Sequence, residues 1–218
     1  MLPILCIVGA SNSGKTTFLE QLIPELRRRG YRVGTVKHDV HGFEMDREGK
    51  DTWRHRKAGA RTIAIASAVM LATIRETDAE MPLEQIAGHY FWDEDILLTE
   101  GYKQSRFPKI EVFRSAIEAK PICVPQDNLV AVVTDDQVEL DIPRFRFDQV
   151  SGVADLVEER FLKGRKRHRI MVHADGKQMP MNEFVQEFLI GGTIGMLSSL
   201  RGWKSPRKVD IRIRLEDD

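Results

Sequence analysis

Gly9, Gly14, Lys15 and Thr16 stand in the spacing G-x-x-x-x-G-K-T, immediately after an apolar run at residues 2–8. This arrangement suits phosphate. The backbone N–H groups of Asn12, Ser13, Gly14 and Lys15 can wrap a β-phosphate, while the Lys15 ammonium reaches between the β- and γ-phosphates. The hydroxyl of Thr16 can ligate Mg²⁺, and the helix expected to follow turns its positive end toward the anion. The competing reading is an ordinary glycine turn. With glycine at ~7% of residues, the pattern arises by chance in on the order of one chain in a hundred of this length. Its flanks, a strand before and helical periodicity after, select the phosphate site.

Such a site needs a carboxylate on the metal side. Ile96, Leu97, Leu98 and Thr99 form an apolar strand ending at Glu100, which could hold a Mg²⁺-bound water or orient an attacking one. An idle carboxylate on so aliphatic a strand would be costly to bury, although a solvent-exposed strand end remains the alternative. Asp39, at the end of the second strand, competes for the same role. After another apolar run at residues 129–133, Asp135 could accept hydrogen bonds from N1 and N2 of guanine, a donor pair that adenine lacks. The usual Asn-Lys-x-Asp guanine reader is absent, and a plain turn at residues 134–136 fits equally well.

The elements that must position these groups follow from periodicity. Residues 2–8 read as a strand buried on both faces. Phe18, Leu19, Leu22, Ile23 and Leu26 recur at helical spacing, with Arg27, Arg28, Arg29 and Gly30 marking the helix end and Pro24 predicting a kink. Further strands are expected at residues 33–36, 62–66, 69–74, 96–99, 110–113 and 129–133. Helices are expected at 51–58, 83–90 and 150–162. Strands alternating with helices predict an α/β fold of the P-loop NTPase kind, a mainly parallel sheet flanked by helices, with the closely spaced pair antiparallel.

That domain should span residues 1–164. Residues 160–169 carry six Lys or Arg and no acid and read as a linker. A small α+β extension over residues 165–218 should hold a short strand at 170–173 and a turn at Asp175 and Gly176. Its helix face comprises Met181, Phe184, Val185, Phe188 and Leu189, with Asn182 near its start and Gly191 and Gly192 as a possible interruption. The alternation of Val209, Ile211, Ile213 and Leu215 with Lys208, Asp210, Arg212 and Arg214 predicts a half-buried final strand. This extension is expected to pack against a partner or a second copy of the chain.

Composition bounds the alternatives. The 218 residues carry 33 Lys plus Arg against 33 Asp plus Glu, and 42% are hydrophobic. A chain of this size hides roughly 70% of its unfolded surface, so disorder is excluded as the main state. Zero net charge argues against a nucleic-acid coating protein. The longest uncharged stretches, residues 62–74 and 188–200, fall short of the ~18 to 20 residues of a membrane span, and the first apolar run lacks the basic flank of a signal peptide. Cys6 and Cys123 form neither a disulfide framework nor a zinc pattern. A cytoplasmic location is expected.

Taken in order, several blocks resemble the MobB family. They are the glycine loop; Lys37, His38 and Asp39 with His41; Met45, Asp46, Arg47, Glu48, Gly49, Lys50, Asp51 and Thr52, continuing to Lys57, Ala58, Gly59 and Ala60; Thr99, Glu100, Gly101, Tyr102 and Lys103; and Pro108, Lys109, Ile110, Glu111 and Val112. These matches run from residue 1 to about 160. The resemblance implies an adapter of molybdopterin guanine dinucleotide biosynthesis: a homodimer that binds GTP, hydrolyses it weakly, and assists the guanylyltransferase MobA in attaching GMP to molybdopterin. By position, Gly14, Lys15, Thr16 and Thr17 would bind nucleotide phosphate and Mg²⁺, with Glu100 at the metal. The chain departs from the short family form after about residue 165.

The competing functions rest on fewer residues. A small-molecule phosphotransferase would use Asp39 or Glu100 as base, with Lys50, Arg54, Arg56, Lys57 and Arg61 clamping an anionic acceptor; the same cations could receive the phosphate of molybdopterin, or be solvated helix charges offset by Asp46, Glu48 and Asp51. His38, His41 and His55 could suggest a metallochaperone, against the commoner outcome of imidazoles in a solvated loop. The basic stretch at 160–169 has Phe161 as its one aromatic, which favours a solvated linker over a nucleic-acid site.

Overall fold

Every residue of β1 (Ile4–Val8) is buried. Since successive side chains on a strand point to opposite faces, a continuous apolar run demands cover on both. The computed structural model supplies that cover; it describes residues 2–39, 42–164, 170–174, 177–206, 208–211 and 213, and the chain divides into two compact units, Met1–Lys166 and Arg167–Asp218.

In the first unit β1 is followed by α1 (Lys15–Arg28), β2 (Val33–Lys37), α2 (Asp51–Lys57), β3 (Thr62–Ala66), β4 (Leu71–Arg75), α3 (Leu83–Tyr90), β5 (Ile96–Glu100), β6 (Lys109–Val112), β7 (Leu129–Val133), β8 (Arg144–Phe145) and α4 (Val150–Val157). Six strands form one sheet in the order β2-β5-β1-β6-β7-β8, and every pairing in it is parallel. The closely spaced pair is antiparallel, as its short connection predicts, but β3 and β4 form a separate sheet rather than joining the main one.

The period-2 rule assigns the two faces. Leu5 and Ile7 share one buried cluster with Phe18, Leu22 and Leu26 of α1 and Val153, Ala154 and Val157 of α4, whereas Ile4, Cys6 and Val8 share another with Leu83 and Ala87 of α3. Removing one large side chain from either cluster, such as Leu22, would leave a cavity costing about 2 to 5 kcal/mol. Helix α1 runs unbroken through Pro24, so the expected kink does not end the element.

Two charged side chains on β6 are almost wholly buried. Lys109 donates to the carbonyls of Ser105, Phe107 and Asp127, and Glu111 accepts from the N–H groups of Ile122 (2.7 Å) and Cys123 (2.9 Å). They tie down the loops on either side of β6. Burial pushes the Glu111 carboxyl above its ordinary value, against the two backbone donors that pull it down.

On the opposite face Arg29, just past α1, binds Glu25 (2.8 Å), Asp155 (2.7 Å) and Glu158 (2.9 Å), joining α1 to α4. Hydrogen bonds from Arg28 and then Arg29 hold the Glu25 carboxyl down to about 2. A carboxylate whose folded value lies below its unfolded one, ~4.3, adds stability that is complete above the unfolded value and vanishes as pH falls through the folded one. The urea midpoint should therefore fall between about pH 4.5 and 2, and fall less steeply in Glu25→Gln. Identical acid slopes in the two proteins would contradict this role.

In the second unit β9 (His173–Ala174) and β10 (Lys177–Gln178) pair antiparallel, and α5 (Glu183–Ser198) follows. The strand thus begins three residues later than the sequence suggests, and the expected turn at Asp175 and Gly176 lies outside the described residues. Asn182 caps α5, its side chain accepting from the Val185 N–H at 2.9 Å. Gly191 and Gly192 do not interrupt the helix. The expected final strand is not formed among the described residues: 208–211 and 213 carry no strand assignment, and Val209, Ile211 and Ile213 are exposed. Alternation makes a strand only where a neighbouring strand satisfies its backbone, and none is found beside it among these residues. Arg212, Arg214 and Leu215 lie outside the description, as do residues 165–169 of the expected linker.

Candidate nucleotide-binding site

The carboxyl ends of the parallel strands share one edge, where open α/β sheets bind ligands. β1 opens there into the glycine loop. Gly9 has φ +145°, and a Cβ on it would lie 2.3 Å from the Val112 carbonyl oxygen, so the loop can cross β6 only with glycine here. Asn12 and Gly14 also take positive φ, +62° and +99°. Gly14 then caps α1 without any side-chain hydrogen bond, and the first turn holds no acid. The leading N–H groups of the helix consequently have no partner within it and present partial positive charge to the loop. Ser13 is buried to 1% exposure and its hydroxyl lacks a hydrogen-bond partner among the described residues. A buried polar group left unsatisfied is what an anion site shows without its anion.

Lys15 Nζ arches back to the carbonyls of Gly9 (3.1 Å) and Ala10 (2.7 Å), across the mouth of the loop. Burial draws this ammonium below its ordinary pKa, opposed by Glu100 and reinforced by Lys37. The Thr16 hydroxyl donates to Glu100 Oε2 at 2.8 Å, across 84 residues of sequence. Thr17, next on the helix, is exposed. The structure thus joins Lys15, Thr16 and Glu100 in one cluster.

Lys37 belongs to this cluster and was not singled out as a site residue by the sequence. Register pairs it with Glu100, and its Nζ lies 3.7 Å from Glu100 Oε1. Asp39 lies two residues beyond the end of β2. Between them His38 stacks on Tyr102 (centroids 4.5 Å apart) and meets Glu80 at 3.0 Å. Tyr102 takes φ +61°, an uncommon conformation for an aromatic residue. His41 lies outside the described residues, and among those described no three His, Cys, Asp or Glu converge to hold a metal. On α2, Arg54 approaches Asp51 (4.0 Å) and Lys57 lies over Trp53 (5.4 Å), so the basic helix spends charge internally.

On the other side of the loop Asp135 is half exposed, 3.8 Å from Arg146, and its Oδ1 accepts from the Phe147 N–H at 3.4 Å. Asp136 accepts from the Ser115 N–H at 2.8 Å, which holds its carboxyl below the ordinary range. Arg114 and Phe147 adjoin this corner. The one sequence signal for Arg114 is a cation just past the end of a strand at the ligand edge; nothing local marks Phe147.

A parallel sheet whose first strand runs through this loop into a helix, with a strand-end carboxylate bonded to the threonine that follows it, defines the fold class as P-loop NTPase-like α/β. The sequence profile of MobB, described as molybdopterin guanine dinucleotide synthesis protein B, matches residues 4–135. The chain belongs to this family. It is 37% identical over 158 residues to the molybdopterin-guanine dinucleotide biosynthesis adapter protein of Haemophilus influenzae, covering 72% of this chain and 88% of that one. With the adapter of the same name from Escherichia coli it shares 36% over 163 residues, 73% of this chain and 93% of the other. Among solved structures, Bacillus subtilis MobB superposes with a TM-score of 0.60 at 32% identity, covering 75% of this chain and all of the other.

Proposed function

We propose that the chain binds GTP with Mg²⁺ in the loop of Gly9, Asn12, Ser13, Gly14, Lys15, Thr16 and Thr17, and works as an adapter in molybdopterin guanine dinucleotide synthesis, assisting a MobA-like guanylyltransferase. The observation that carries the reading is the hydrogen bond of 2.8 Å between Thr16 and Glu100, which sets a hydroxyl and a carboxylate side by side at the loop. Both are hard oxygen donors of the kind Mg²⁺ prefers, and Lys37 already supplies positive charge to the same carboxylate. Bound there, Mg²⁺ would neutralise phosphate charge. Lys15 would hold the β- and γ-phosphates, Glu100 or Asp39 would order a water, and Asp135 would read the base.

Hydrolysis by this set is slow. The protein acts as a cytoplasmic homodimer in which residues 1–164 form the nucleotide domain and residues 165–218 a separate unit packed on a partner or second copy; molybdopterin or its dinucleotide is the anionic co-ligand. The names of the related adapters support the pathway, and the cradle supports the triphosphate. In a pull-down with a molybdopterin guanylyltransferase, GTP should raise the amount retained at least severalfold, and Lys15→Ala should abolish that increase. Retention that ignores GTP, or none in either condition, would count against the adapter reading.

A further inference from the structure

Three segments meet beside the glycine loop, on the side away from Glu100. Arg114 leaves the end of β6, and its Nε donates to the Ser13 carbonyl at 3.1 Å. Its guanidinium lies over the Phe147 ring, 3.9 Å from the centroid. Both groups abut the start of α1: a Cβ on Gly14 would lie 3.6 Å from Phe147 Cε1 and 3.7 Å from Arg114 Nε. The Phe147 N–H points to Asp135 Oδ1 at 3.4 Å, and the Ser115 N–H, next to Arg114, is held by Asp136 at 2.8 Å. Loops after β6 and β7 and the segment at 146–148 are thereby fixed to one another and to the phosphate loop.

A surface cation–π pair by itself is worth only about 0.5–1 kcal/mol and needs no ligand. This pair differs in its placement. One of the arginine's N–H groups is spent on a main-chain carbonyl of the phosphate loop, Arg114 is exposed and Phe147 only half-buried. A nucleotide with its phosphates in the loop must lay its base to one side. Toward β5 that space holds Thr16, Glu100 and Lys37; toward β6 and β7 it holds two flat π-bearing groups with a carboxylate beside them. Aromatic rings and guanidinium planes are the groups on which nucleobases stack.

We infer that Arg114 and Phe147 form the shelf for the purine base, with Asp135 at its rim accepting from guanine N1 and N2; the inference rests on the nucleotide reading above and extends it to two residues that reading does not use. Arg114 couples the shelf to the loop through the Ser13 carbonyl, so base and phosphate are gripped by one connected surface.

Calorimetric titration with GTP, ATP and inorganic tripolyphosphate, each with Mg²⁺, separates the base from the phosphates. Phe147→Leu keeps the apolar bulk that packs on the core and removes the π-face; Arg114→Met serves as the second variant. Both should weaken GTP about tenfold or more while tripolyphosphate affinity stays within about twofold. Asp135→Asn should lower the preference for GTP over ATP without weakening tripolyphosphate. Unchanged GTP affinity in both shelf variants would overturn the inference. So would an equal loss for tripolyphosphate, which would mean that the pair merely props the loop. Wild-type protein that binds neither GTP nor tripolyphosphate would overturn the phosphate site itself, and the shelf with it.

Discussion

Lys15→Ala should lower GTP affinity about thirtyfold to a thousandfold, with little change in thermal midpoint. The ammonium sits on the carbonyls of Gly9 and Ala10, where it closes the mouth of the loop. A charged hydrogen-bond partner to an anion contributes roughly 2 to 4 kcal/mol when partly shielded from water, and each 1.4 kcal/mol is a factor of ten. The fold should survive because Lys15 opens α1 at its exposed end, while Phe18, Leu19, Leu22 and Leu26 anchor the helix. Calorimetry gives the affinity, and thermal melting without nucleotide checks the fold. Affinity within threefold of wild type would remove Lys15 from the site.

The second large effect concerns Glu100. Glu100→Gln keeps an oxygen able to accept from the Thr16 hydroxyl but removes the charge that faces Lys37 at 3.7 Å. If Glu100 serves Mg²⁺, the wild-type protein should bind GTP at least tenfold more tightly with Mg²⁺ than with a chelator, and the variant should show almost no such difference. Its affinity in chelator should match or exceed that of wild type, because a negative charge near the triphosphate has gone. A variant retaining the full Mg²⁺ dependence would show that the carboxylate stands apart from the metal.

What the sequence discloses about this site is what lies within a few residues along the chain. The loop, its threonine and the following helix are one continuous segment, so their spacing alone carries the geometry. Glu100 was legible because an apolar strand delivers its last residue to a predictable edge. The Lys37–Glu100 approach depends on β2 pairing with β5 in one register, and the sheet order β2-β5-β1-β6-β7-β8 cannot be read from periodicity. Arg114 and Phe147 meet only because β6, β7 and β8 stack in sequence beside β1. The separate sheet of β3 and β4 and the lack of the expected final strand among the described residues share a cause. Alternation tells which side chains would face one way, and it does not say whether another strand is there to pair with.

The buried pair on β6 shows the same division. Nothing in the sequence around Lys109 and Glu111 marks these two charges as buried. Their burial is possible because the carbonyls of Ser105, Phe107 and Asp127 and the N–H groups of Ile122 and Cys123 are brought to them by folding. Buried charge without such partners would cost several kcal/mol.

Titration of the purified wild-type chain with GTP in Mg²⁺ buffer reaches the foundation of all this. A saturable heat with about one site per chain, lost in Lys15→Ala, is the expected result. No heat and no saturation with GTP or with ATP would contradict the assignment of residues 9–17 as a triphosphate cradle.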